Sequence, residues 1–284
     1  MALVLEDAAS HSCRLCLLTT FIDLILEGQA KLKSEKDLEA MRPACQLARK
    51  ILDLVCDFVR PGVTTLEIDQ YAAELIRKFN TKSAFLGYRQ GRRVYPCHIC
   101  ISPNEEIVHG LASKRVLEHG DIVSLDVGVV FNGFIGDNAR TVPVGGCSIE
   151  NQNLLDVTKT SLQKGIEKAR AGNRLSEISG AIQDWVESHG FHIVKEFVGH
   201  GVGRKLHEPP QVPNFADGSR SPVLKPGMTL AIEPMVNAGT PEVQFMEDGW
   251  TVLAKDRKPS AHFEHTILIT QGDPETLTVP EGSV

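Results

Sequence analysis

The stretch from Asp121 to Val144 constrains this chain more than any other, because its turn fixes a register. Asp121-Ile122-Val123-Ser124-Leu125-Asp126-Val127-Gly128-Val129-Val130-Phe131 alternates as a strand does and runs into Asn132-Gly133, after which Phe134 to Val144 reads as a second strand. Asn-Gly selects a two-residue type I′ turn. With Asn132 and Gly133 at its centre, residues pair when their numbers sum to 265, so Gly128 faces Asp137 and Asp126 lies diagonally across on the same face. Diagonal neighbours stand about 7–8 Å apart, a gap that two inward-leaning carboxylates can close around a cation. The missing side chain at Gly128 is expected to leave room opposite Asp137. The hairpin alone leaves two readings open, a pair of exposed strand acids or two sides of a metal site.

Helices flank this hairpin. Ser34, with Asp37 three residues on, looks like an N-cap, and Leu38, Met41, Cys45, Ala48, Leu52, Val55 and Val59 then recur at three- and four-residue spacing. This amphipathic helix is expected to kink at Pro43 and to stop at Pro61-Gly62. Thr64-Thr65-Leu66-Glu67 is a capping box that opens a second helix, running to about Phe79. The design returns about 110 residues later: Arg60-Pro61-Gly62 and Leu66-Glu67-Ile68 are echoed by Arg170-Ala171-Gly172 and Ser176-Glu177-Ile178. A true repeat would give two similar halves with a site between them. Further strand-like runs at Ile99–Ser102, Thr229–Ile232, Trp250–Ala254 and Thr266–Thr270 make the class α+β.

Three more segments carry candidate chemistry. His200 stands in Val198-Gly199-His200-Gly201-Val202-Gly203, where flanking glycines permit close backbone approach, and His207 follows in Leu206-His207-Glu208-Pro209. Ala231-Ile232-Glu233-Pro234 and His262-Phe263-Glu264-His265-Thr266 each set a carboxylate in an apolar, strand-like context, where an unpaired charge is costly and a metal ion compensates it. Four carboxylates and one histidine suit a pair of moderately hard divalent ions better than a thiolate zinc site. Two such ions commonly activate one water for hydrolysis.

Composition narrows the rest. At 284 residues, 42% hydrophobic and 23% charged, the chain is globular, and a net charge of −6 offers no basic footprint for specific nucleic-acid binding. The seven cysteines are odd in number and fit a reducing compartment. The pairs Cys13/Cys16 and Cys97/Cys100 lie about eighty residues apart, so buried free thiols are expected rather than a joint zinc site. The apolar stretch Leu15–Leu26 is preceded by Glu6 and Asp7, is broken by Asp23 and is too short to span a bilayer. Residues 1–30 are read as a leader appended to one catalytic domain, 31–284, in a cytoplasmic protein without a membrane partner.

At these residues the sequence resembles the type I methionine aminopeptidases. Leu125-Asp126-Val127-Gly128, Gly133-Phe134-Ile135-Gly136-Asp137, Gly199-His200-Gly201-Val202-Gly203, Ile232-Glu233-Pro234-Met235 and Phe263-Glu264-His265-Thr266 occur in that family's order, and the likeness runs from about Lys33 to Leu277. It implies the pita-bread fold, in which two pseudosymmetric halves of helices pack on a curved antiparallel β-sheet. It implies that Asp137, His200, Glu233 and Glu264 hold one divalent ion (Co, Mn, Fe or Zn) and Asp126, Asp137 and Glu264 a second. Glu233 would also relay a proton to the leaving amine. His109 and His207 match the family's two non-ligand active-site histidines, which contact the substrate amide, and Tyr88, Cys100 and Trp250 are candidate walls of the methionine pocket. The expected substrates are N-termini of nascent polypeptides, with the ribosome near the exit tunnel as a candidate docking partner and a monomer as the working unit.

Three features depart from the family pattern. The segment from Tyr88 to Cys100 is longer than the usual bacterial form, with Arg89, Arg92 and Arg93 reading as a solvated loop. Leu206 stands where an aromatic is frequent, which loosens the pocket, and residues 1–30 match nothing in the family. The rivals are an Xaa-Pro peptidase with equivalent ligands, which usually carries a large extra N-terminal domain, and a non-catalytic peptidase-like binding protein, which would be expected to have lost ligands. The short interval from His207 to Glu233 argues against the type II enzymes.

Overall fold

The computed structural model describes residues 30–216, 218 and 221–279. The leader reading and Cys13/Cys16 therefore lie outside the described residues, apart from Ala30. Helix α1 (Glu35–Phe58) begins at the Ser34 cap, where the hydroxyl accepts from Asp37 N and the Asp37 carboxylate accepts from Ser34 N. Pro43 sits within this helix without ending it. Helix α2 (Thr65–Lys78) opens on the reciprocal Thr64/Glu67 capping box, a device worth about 1 kcal/mol. Helices α3 (Ile149–Lys168) and α4 (Leu175–Ser188) form the second pair. Among the described residues no helix is long and apolar enough to cross a membrane.

The internal repeat is written into the backbone. Gly62 N donates to Leu117 O at 2.8 Å, and Gly172 N donates to Leu224 O at 3.0 Å. Thr64 bridges Val116 as Arg174 bridges Val223. Both glycines hold left-handed φ, 89° at Gly62 and 91° at Gly172, a conformation that the stop between two helices needs and that a side chain would strain. Each half buries one helix pair on its own strands. Ile51, Leu52, Val55, Ile68 and Leu75 pack on Val123, Leu125 and Val127, while Leu154, Leu162, Ile178 and Ile182 pack on Leu230, Ile232 and Ile267.

The hairpin Ile122–Phe131 and Phe134–Pro143 has the expected register, with Phe131 opposite Phe134 and Gly128 opposite Asp137. Asn132 and Gly133 both take positive φ, 51° and 76°, as a type I′ turn requires. One expectation fails here. Gly128 does not leave room for the acids: an added Cβ would lie 2.7 Å from the Phe85 ring, so the glycine admits that aromatic edge and not the carboxylates. The 88–100 segment contributes a short exposed hairpin, Arg89–Gln90 with Arg93–Val94, in which Arg89, Arg92 and Arg93 are exposed as expected.

Candidate metal centre

The two halves meet along a seam in which Ala139 N donates to Glu264 O and Glu264 N donates to Ala139 O at 2.9 Å. This pairing extends rows of neighbours across the molecule. One row runs Gly128, Asp137, then across the seam to Thr266, Ala231 and His200; the next runs Cys100, Asp126, Ala139, Glu264. Glu233 follows Ile232, which pairs with His265, and so comes to lie opposite Glu264. Laterally aligned residues of a sheet share a face, so all five expected ligands project to one side. Ala139 and Ala231, interleaved among them, keep that side hollow.

Among the described residues, Asp137, His200 and Glu264 each present a donor atom within 4.8 Å of the other two, and all three are buried. His200 Nε2 lies 3.9 Å from Asp137 Oδ2 and 3.3 Å from Glu233 Oε1. His200 Nδ1 is 3.0 Å from Gly201 O, a carbonyl that only accepts, so Nδ1 carries the proton and Nε2 presents a bare lone pair to the carboxylates. Asp126 stands outside the tight trio but shares its charge.

Burial pushes Asp137 up to about 7 and raises Asp126, Glu233 and Glu264 well above the usual carboxylate range, the neighbouring acids adding to the shift in these last three. Asp126 Oδ1, Asp137 Oδ1 and Glu264 Oε1 are buried without any hydrogen-bond partner. Buried acceptors are rarely left so, and acids crowded together repel. An oxygen-rich donor set with one imidazole, orphaned lone pairs and excess negative charge fits a divalent cation.

These shifts carry a sign. An acid whose folded-state pKa is raised keeps its proton between about pH 4 and 7, where the unfolded chain has released it, so its contribution is full below that window and is lost as the pH rises through it. Asp137→Asn removes the ionising group. In metal-free protein the melting temperature of the variant relative to the parent is expected to rise by roughly 3 °C or more between pH 5.5 and pH 8. A gap that stays constant or narrows with pH would contradict the reading.

The remaining candidates surround this cluster. His207 is solvent-accessible yet enclosed by protein on several sides, and desolvation holds it well below the usual imidazole range. Its ring packs edge-on to His200 at 4.5 Å, and its Nδ1 lies 2.9 Å from the Tyr88 hydroxyl. His109 has φ of 59°, rare for a side chain of its size, and packs edge-on against Phe197 at 5.3 Å. Cys100 and Trp250 share one buried apolar cluster with Phe85, Tyr95, Cys97 and Leu206, and Tyr88 packs against it. Cys100 also pairs with Asp126 across neighbouring strands. Tyr95, whose hydroxyl donates to Gly110 O, stands edge-on to Trp250 at 5.2 Å. Phe85, Tyr95 and Phe197 were not foreseen as neighbours of the site. His262, two residues before Glu264, comes beside Glu233 as well, with Nε2 3.5 Å from Oε2.

Comparison with known proteins decides the family. The profile of metallopeptidase family M24 matches residues 39–271. The methionine aminopeptidase 1 of Bacillus subtilis is 47% identical over 246 residues, 87% of this chain and 98% of that protein. The chain is a methionine aminopeptidase-family member of metallopeptidase family M24. The crystal structure of methionine aminopeptidase from Rickettsia prowazekii superposes with TM-score 0.85 at 38% identity, covering 88% of this chain and all of that one. The prolidase from Pyrococcus horikoshii, at TM-score 0.69 and 24% identity over 91% of this chain and 65% of its own, shares the fold alone. The fold common to these M24 proteins is the two-halved pita-bread expected from the sequence, and M24 membership brings with it the use of divalent metal.

Proposed function

We propose that this chain removes N-terminal methionine from polypeptides by metal-assisted peptide hydrolysis, acting where the second residue is small. The observation that carries the reading is the buried trio Asp137, His200 and Glu264, with an unpartnered oxygen on each of its two acids, in a chain of this family. Asp137, His200, Glu233 and Glu264 would hold one ion and Asp126, Asp137 and Glu264 a second. Ions there would supply Lewis-acid polarisation of a carbonyl and make a water acidic enough to attack at neutral pH.

The chain's own groups do the rest. Glu233, 3.3 Å from His200 and raised above the usual carboxylate range, is placed to take a proton and pass it to the leaving amine. Tyr88, whose hydroxyl burial keeps protonated, lies 2.9 Å from His207 Nδ1 and would donate to it. That fixes the His207 proton on Nε2, from which it can donate to the substrate carbonyl oxygen as charge develops. His109, held neutral with its pKa lowered to about 4 by burial, would contact the same amide. Tyr88, Cys100 and Trp250, with Leu206 and Phe85 beside them, would enclose the methionine side chain, whose flexible thioether suits an aromatic and thiol-lined wall.

Residues 31–284 are proposed as the catalytic domain, acting as a monomer on nascent chains in the cytoplasm with docking at the ribosome, and residues 1–30 as an appendage. Chelation followed by return of Co²⁺, Mn²⁺, Fe²⁺ or Zn²⁺, with assay of Met-Ala-Ser beside Ala-Pro, tests the activity. Methionine should be released from Met-Ala-Ser with at least one metal. No release with any metal, or cleavage confined to Ala-Pro, would defeat the proposal.

A further inference from the structure

Glu233 has two imidazole neighbours, and only one of them has a role above. His200 Nε2 approaches Oε1 at 3.3 Å, while His262 Nε2 approaches Oε2 at 3.5 Å. The two contacts differ in kind. His200 spends its proton on Gly201 O and so meets Oε1 as a lone pair, an arrangement that calls for a cation between them. His262 is 1% exposed and its Nε2 has no hydrogen-bond partner.

The His262 backbone cannot withdraw. His262 N donates to Thr141 Oγ1 at 2.8 Å, and Thr141 Oγ1 donates to His262 O at 2.9 Å, which ties the residue to the other half of the molecule. Glu233 is steadied through its own carbonyl, which accepts from Asn214 Nδ2 at 3.1 Å. A buried N–H without a partner costs about 1–3 kcal/mol, and closing 3.5 Å to hydrogen-bond length needs a shift of roughly half an ångström. Catalytic hydrogen bonds commonly tighten by such amounts when the complex forms.

We propose that His262 is a positioning residue for the hydrolysis: its Nε2–H donates to Glu233 Oε2 and fixes the carboxylate so that Oε1 alone faces His200 and the metal. This rests on the role of Glu233 given under the proposed function. The imidazole is buried beside the donors, and its ring N–H can supply a hydrogen bond there without adding net charge. A glutamine at 262 keeps an N–H of similar reach; asparagine is too short, and leucine has no donor.

The test is steady-state cleavage of Met-Ala-Ser by the metal-loaded parent and by His262→Gln, His262→Asn and His262→Leu, with bound metal and thermal midpoint measured for each. His262→Asn and His262→Leu should lose about tenfold in kcat with KM within twofold and metal content unchanged, and His262→Gln should recover to within about threefold of the parent. Two polar variants of different reach keep the comparison valid if leucine fails to fold. Parental kcat in the asparagine or leucine variant, or equal loss in all three, would overturn the assignment. A parent that releases no methionine would instead sink the proposed function.

Discussion

Asp137→Asn and Glu264→Gln should each remove both divalent ions and lower methionine release by about 10³-fold or more, whereas Asp126→Asn should chiefly weaken one ion. The asymmetry follows from position. Asp137 and Glu264 come from opposite halves, lie with His200 inside a 4.8 Å group and each bury an unpartnered oxygen. An amide replaces one of those lone-pair donors by N–H groups, which repel a cation while leaving size and shape intact. Asp126 lies outside the tight trio, so its loss leaves one donor set complete. Metal content by elemental analysis beside activity decides the matter. Equal metal in Asp137→Asn and parent would defeat the bridging assignment, and so would full loss of both ions in Asp126→Asn.

Replacing His207 with alanine should leave metal bound and slow turnover by about 10²-fold or more, the usual cost of one donor aimed at developing charge. The ring packs edge-on to His200 and has the Tyr88 hydroxyl 2.9 Å from Nδ1, and in the proposed tautomer, with that hydroxyl donating, Nε2–H is its outward donor. Tyr88→Phe should therefore reproduce part of the effect, about tenfold, through the wrong tautomer and not through lost apolar area. The signature is a fall in kcat with KM nearly constant. A large rise in KM with kcat preserved would move both residues from transition-state stabilisation to simple substrate binding.

These two experiments probe residues that differed in how far they could be read from sequence. Asp126 and Asp137 were legible because an Asn-Gly turn fixes a hairpin register locally, and the structure keeps that register to the residue. The helix boundaries at Ser34 and Thr64 were equally local, set by side chains that reach only three positions along the chain. Glu233 and Glu264 were reached through resemblance. Ile232 and His265 pair across a long excursion of intervening chain, and no turn between them declares the register.

The seam itself was invisible, since nothing in the sequence states that Ala139 pairs with Glu264. His262 is tied through the same seam to Thr141, whereas it meets Glu233 within its own half, where it pairs with Met235 two residues further along the chain. The Gly128 expectation failed for a related reason. Pairing gave the direction of the missing side chain but not the identity of its occupant, and Phe85 comes from a loop more than forty residues upstream.

The mutual bonds between Ala139 and Glu264 also make the centre a calliper. Asp137 belongs to one jaw and Glu264 to the other, and the seam holds the strands that carry them at hydrogen-bonded spacing, about 4.8 Å. The ionic radius that fits best is accordingly a property of the backbone, and a substitution that spreads the joint would retune metal preference without touching a single ligand.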